Sequence, residues 1–116
     1  MKITKKTTLL AGLKRVTIDY LDVNLASDVT LKGTNLEGID GYYEDDNLRC
    51  FEVTLRSSHG GSANVMLSQN SGGYWTGRTS DVLFSAGDEA TVSVTTNPSK
   101  REWKQETVSK TVTVSE

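Results

Sequence analysis

Two aromatic pairs, Tyr42-Tyr43 and Tyr74-Trp75, stand beside glycine-bearing stretches, and Arg78 follows the second pair. Flat rings offered by loops stack on the apolar faces of sugars, while a few polar groups placed around them take the hydroxyls. That chemistry makes Tyr42, Tyr43, Tyr74, Trp75 and Arg78 the candidate ligand-binding residues, with carbohydrate as the ligand class. Neighbouring residues of a strand point to opposite faces, so one member of each pair is expected in the core.

Around the first aromatic pair lies an acidic stretch, with Asp40 before it and Glu44, Asp45 and Asp46 after it, next to Asn47. These hard oxygen donors, with Gly38 and Gly41 allowing sharp bends, make a candidate calcium loop, although the spacing is not that of an EF-hand. The same acids as a catalytic pair would need to flank a cleft, which a polar loop does not supply by itself. His59 is the single histidine, set in the turn Ser57-Ser58-His59-Gly60-Gly61-Ser62, and reads as a solvated turn residue. Cys50 is the single cysteine, so no intramolecular disulfide is available. One His and one Cys also fall short of the four N/S ligands of a structural zinc site. No phosphate-cradling glycine motif opens a helix, and no enzyme is expected.

What must position these groups is a set of strands. Phe51, Val53 and Leu55 alternate with Glu52, Thr54 and Arg56, and Ala63, Val65 and Leu67 alternate with Asn64, Met66 and Ser68. Period-two patterning on both sides of a glycine-bearing linker predicts a β-hairpin with one apolar face and a turn at 58–61. Val16, Ile18 and Tyr20 share one phase, but Leu21, Val23 and Leu25 share the other, which predicts a bulge inside the first strand or a strand that leaves one sheet for the other. Val29 and Leu31 point inward before Gly33. A long polar connection follows over 34–47, where two glycines in four residues and no apolar stripe argue against helix. Further strands are predicted over 74–78, 82–84 and 90–95, and a last one carries Val108, Val112 and Val114. Trp103 is out of phase with those valines, so a break is expected near Gln105.

Seven to nine short strands with turn signals between them predict an all-β chain folded as an antiparallel β-sandwich. Composition agrees: 35% hydrophobic residues, and 27 Ser and Thr, suit sheets with one wet face. At 116 residues the chain fits one domain, expected over 16–116 and preceded by a basic arm over 1–15. That arm holds Lys2, Lys5, Lys6, Lys14 and Arg15 without an acid, against a chain total of −2. Basic residues are otherwise not spread over a face with aromatics between them, so no nucleic-acid partner is expected. No stretch reaches a membrane-spanning length. The run Leu9-Leu10-Ala11-Gly12-Leu13 is too short for a signal peptide, so none is evident.

The segment Phe84-Ser85-Ala86-Gly87-Asp88-Glu89-Ala90-Thr91-Val92-Ser93-Val94, with Lys110-Thr111-Val112-Thr113-Val114, resembles the last strands of immunoglobulin-like and fibronectin-type modules. Such modules are common in bacterial surface proteins and phage virion proteins. The resemblance covers the second half of the chain and lacks the paired cysteines of antibody domains. It implies an immunoglobulin-like sandwich, at a virion or cell surface as part of a larger assembly. The expected function is a non-enzymatic interaction module that binds carbohydrate, or a protein, through loop aromatics. The alternative is a structural subunit that docks, or self-associates into an oligomer, through its basic arm.

Overall fold

A computed structural model describes residues 13–116; most of the basic arm lies outside the described residues. The fold is all-β, with eight strands among the described residues: β1 (Thr17–Val23), β2 (Asp28–Thr34), β3 (Tyr43–Glu44), β4 (Arg49–Ser57), β5 (Ser62–Gln69), β6 (Trp75–Arg78), β7 (Glu89–Thr95) and β8 (Thr107–Thr113). All pair in antiparallel fashion in one sheet of order β1-β2-β6-β5-β4-β7-β8, with β3 added beside β4.

The central hairpin β4–β5 forms in the register its alternation demands, with Phe51 opposite Leu67 and Val53 opposite Val65. Phe51, Val53, Leu55, Val65 and Leu67 are buried, Ala63 only half so. Around the sheet, Leu31 opposes Leu21 on one side and Trp75 on the other, and Leu55 opposes Val92. Every long strand thus sends its apolar phase to one shared interior.

Seven strands in an antiparallel path leave the first and last running the same way, so any closure between β1 and β8 must be parallel. Closure occurs at both ends of that pair. Lys14 bridges Trp103 and Asn24 bridges Ser115, both parallel, with Lys104 N–H donating to the Lys14 carbonyl at 2.7 Å and Ser115 N–H to that of Val23 at 2.9 Å. The sheet is therefore nearly a barrel. Between these bridges β1 and β8 form no ladder and remain the two ends of the sheet. Asp19 is the bulge, since Ile18 opposes Gly33 but Tyr20 opposes Lys32. Its carboxylate accepts from the Thr34 and Thr17 hydroxyls at 2.6 and 2.9 Å. Those bonds, Thr34 first, lower its pKa, and Lys110 on β8 adds to the effect. Charges beside an unpaired edge discourage strand addition from another chain.

The bulge also corrects the expected place of Tyr20. Shifting the phase after Ile18 turns Tyr20 outward, where it is 47% exposed, and turns Leu21 and Val23 in; Leu25 lies past the strand end and is exposed. Residues 82–84 form no strand. Val82 is 93% exposed while Phe84 is buried, so this loop contributes one plug rather than an alternating face. The connection over 34–47 is less polar in effect than in composition, because Leu36 and Ile39 are buried around a 3-10 helix at Leu36–Gly38. The break near Gln105 is present: Trp103 belongs to the closing bridge, and β8 starts at Thr107. Cys50 is half-buried opposite Tyr43 of the short β3 strand. On the outer face, the Thr91–Thr111 and Ser93–Ser109 hydroxyl pairs at 2.8 and 2.9 Å tie β7 to β8.

Candidate ligand-binding end of the barrel

Strand alternation sends the segments at 13–16, 35–48, 70–74 and 96–106 to one end of the barrel, and those at 24–27, 58–61, 79–88 and 114–116 to the other. Tyr42, Tyr43, Tyr74, Trp75, Asp40, Glu44, Asp45 and Asp46 all belong to the first end. Arg78 does not, since it closes β6 at the far side of the sheet.

Trp75 is the core member of its pair. It is 5% exposed, its ring lies 4.7 Å from that of Phe51, and Tyr42 leans on it at 5.9 Å. Trp75 therefore offers no free face to a sugar, which corrects its expected role as a stacking platform. Tyr42 is the half-buried member of the other pair, and its hydroxyl donates to Glu44 at 3.2 Å. Burial, then this bond to a carboxylate, raises the Tyr42 pKa. Tyr43 is 50% exposed and donates to Asp45 at 3.0 Å.

Tyr42 and Trp75 border an open cleft of about 300 Å³, together with Gly33, Asn35, Leu36, Glu37, Glu44, Arg49 and Gln69. Arg49 sits between the carboxylate of Glu44 at 3.3 Å and the amide oxygen of Gln69 at 3.4 Å. It also borders a second cleft of about 330 Å³, shared with Gln69 and lined by Asp45–Leu48, Asn70 and Ser71. The two clefts lie side by side at this end of the barrel with Arg49 and Gln69 common to both, and Tyr42 and Trp75 border only the first, hereafter the groove. Sequence reasoning missed Asn35, Glu37, Arg49 and Gln69. The available signal was Arg49 and Gln69 ending the two strands of the central hairpin on the loop side, where they face one another.

The acids of 40–46 do not gather. Among the described residues no group of three or more His, Cys, Asp or Glu side chains could hold a metal ion. Asp45 is occupied inside its own turn, accepting from the backbone of Asn47 and Leu48 and from Tyr43, which lowers its pKa. Glu44 faces Arg49. The expected calcium loop is thus a hairpin tip in which Glu44 and Asp45 are taken up by local donors.

Tyr74 lies on the outer face beside Lys32, whose ammonium is 4.6 Å from the ring centre, and Tyr20, whose ring meets it edge-on at 5.9 Å. This trio is also one that sequence reading missed, because Tyr20 changes face only through the bulge.

Arg78 lies directly opposite Asp28 on β2 and forks onto its carboxylate, with Nη2 to Oδ2 at 3.0 Å. Asn24 donates to the same carboxylate at 3.0 Å. Arg78, then Asn24, holds the Asp28 pKa at about 2, below the ordinary 3.8. A folded-state pKa below the unfolded one gives stability that is present above the unfolded value and is lost as pH falls. Here the window runs from about 4 down to about 2. Replacing Arg78 by Gln is expected to return Asp28 towards 3.8 and to flatten the acid side of the stability curve in that window. A carboxylate NMR titration checks this, and an unchanged value near 2 in the variant refutes it.

At the other end His59 is not a bare turn residue. Its Nδ1 lies 2.7 Å from Oδ2 of Asp88, a buried carboxylate that also accepts from the Ser85 N–H at 2.8 Å. The Ser85 bond, and secondarily His59, lower the Asp88 pKa. Its imidazole is 70% exposed. Asp88 thus ties the β4–β5 turn to the β6–β7 loop.

Comparison with known proteins finds no matching family model, and no match among curated proteins or solved structures. Among the described residues no helix is long and apolar enough to cross a membrane.

Proposed function

We propose that this chain is a non-enzymatic binding module of immunoglobulin-like design that takes carbohydrate in the groove at the barrel end. The observation that carries the reading is the groove itself. Tyr42, backed by the buried Trp75, supplies aromatic carbon, and Asn35, Glu37, Glu44, Arg49 and Gln69 supply donors and acceptors around it. A sugar ring needs that combination of an apolar support and several convergent polar groups. In support of the fold, β1-β2-β6-β5 followed by β4-β7-β8 has the strand order of an ABED sheet and a CFG sheet. The departure is that pairing is continuous across β4 and β5, where a sandwich would separate its sheets.

The ligand side chains are accordingly Tyr42, Arg49 and Gln69, with Tyr43 and Tyr74 at the periphery and Trp75 as support. A neutral-oligosaccharide array followed by calorimetry tests the reading with the wild type and with Tyr42→Ala and Arg49→Gln. Binding by the wild type, weakened about tenfold or more in each variant, is expected; a loss of that size corresponds to ~1.4 kcal/mol. No binding of any oligosaccharide by the wild type overturns it. Trp75→Ala is unsuitable for this purpose, because it would disturb the core.

A further inference from the structure

The end of the barrel that holds the groove also carries two surface clusters of opposite charge. One is built by the parallel closure. The Lys14 backbone bridges Trp103 and accepts from Lys104 N–H, which brings Lys14, Lys100, Arg101 and Lys104 together, with Glu102 among them and Glu106, paired to Arg15, beside Lys104. Lys14, Arg101 and Lys104 are exposed, and Lys100 is half so. The other is the β3–β4 hairpin tip, closed by Asp45 N–H donating to the Leu48 carbonyl at 2.9 Å, which presents Asp45 and Asp46 with Asp40 before them. All three are exposed, and Tyr43 and Leu48 beside them are exposed apolar groups at 50% and 44%. Among the described residues the ion pairs are Arg15–Glu106, Arg49–Glu44, His59–Asp88 and Arg78–Asp28, so neither cluster is neutralised by the other within the chain.

We propose that this dipolar end is an isologous contact between two copies of the chain. In a two-fold contact each element of one copy meets a different element of the other, and the reciprocal contact follows by symmetry. A two-fold axis lying in the contact plane between the clusters places each acidic hairpin tip on the partner copy's Lys14/Lys100–Lys104 patch. Two complementary contacts then form at once. Other arrangements of the same ends set like charges together, and such juxtaposition disfavours the wrong register. Tyr43, Leu48 and Arg101 are of the residue types that fill the desolvated middle of such contacts, with Tyr and Arg prominent in binding hot spots. The contact uses Asp40, Asp45, Asp46 and Leu48, the last three of which border the second cleft, but not Asn35, Tyr42, Arg49 or Gln69; its test reads self-association, which the outcome of a sugar array does not decide.

Sedimentation velocity on the full chain tests the contact in two ways. Without any substitution, a dimer is expected at about 0.05 M salt and its dissociation by about 0.5 M, where screening shortens to a few ångströms. With substitutions, Arg101→Glu/Lys104→Glu and Asp40→Lys/Asp46→Lys should each weaken self-association by about tenfold or more. Mixing the two variants should restore a one-to-one complex, since one then presents an acidic end and the other a basic end. All four positions are exposed side chains, and unchanged near-ultraviolet circular dichroism verifies the fold. A wild type that is monomeric at every concentration and salt, a dimer indifferent to both reversals, or variants that fail to pair on mixing overturns the contact.

Discussion

Replacing Trp75 by alanine is expected to lower unfolding stability by about 3–5 kcal/mol, the range for deleting a large buried aromatic. The ring is 5% exposed and meets both Phe51 and Tyr42, so its removal opens a cavity that neighbours held by strand pairing cannot collapse to fill. Trp75 also lies opposite Leu31 of β2 and Gln69 of β5, at the point where the short β6 strand joins the two halves of the sheet. A loss there weakens the join as well as the core. Tyr43→Ala, removing a ring that is half exposed at the hairpin tip, is the control and should stay within about 0.5 kcal/mol. Urea unfolding with both midpoint and slope compared measures the difference. A Trp75→Ala variant as stable as Tyr43→Ala would mean that the ring is not the core plug described here.

That pair of variants also shows what could be read from residues alone. Alternation correctly located the inward positions of β4 and β5 because both strands bury one face against a single core, and a slip by one residue would expose all of it. The same logic located the bulge, yet left Tyr20 on the wrong face, because a phase break is visible in the pattern while its exact residue is set by pairing with β2. Adjacent aromatics posed the complementary problem. The rule that one of Tyr74 and Trp75 must point inward is local, but which one does so depends on Leu31 and Gln69 across the sheet. Residues of the groove were hidden for the same reason: Asn35, Glu37, Arg49 and Gln69 come from three separate segments and meet only through strand order. The acids of 40–46 misled in the opposite direction. Closeness in sequence suggested shared ligation, whereas a tight hairpin turn spends Asp45 on its own backbone donors.

The parallel closure is the feature on which the groove end of the barrel depends, since it fixes the basic patch and the loop over 34–48 against one another. Trp103 is 4% exposed there, and Gly38 lies directly against it. A Cβ built on Gly38 would meet the ring atoms Cε3, Cδ2 and Cζ3 at 2.6, 2.8 and 2.9 Å. Gly38 is not among the glycines with positive φ, so the constraint is contact with the ring and not backbone conformation. Gly38→Ala is therefore expected to cost about 1–3 kcal/mol by overpacking, and Trp103→Ala about 3–5 kcal/mol by emptying the site. The two effects should not add. With the ring gone, the new methyl group occupies space that is otherwise void, so the double variant is expected to be about 1–3 kcal/mol more stable than the sum of the single losses implies. A double-mutant cycle by urea unfolding reads that coupling. Strict additivity would show that Gly38 and Trp103 do not press on one another.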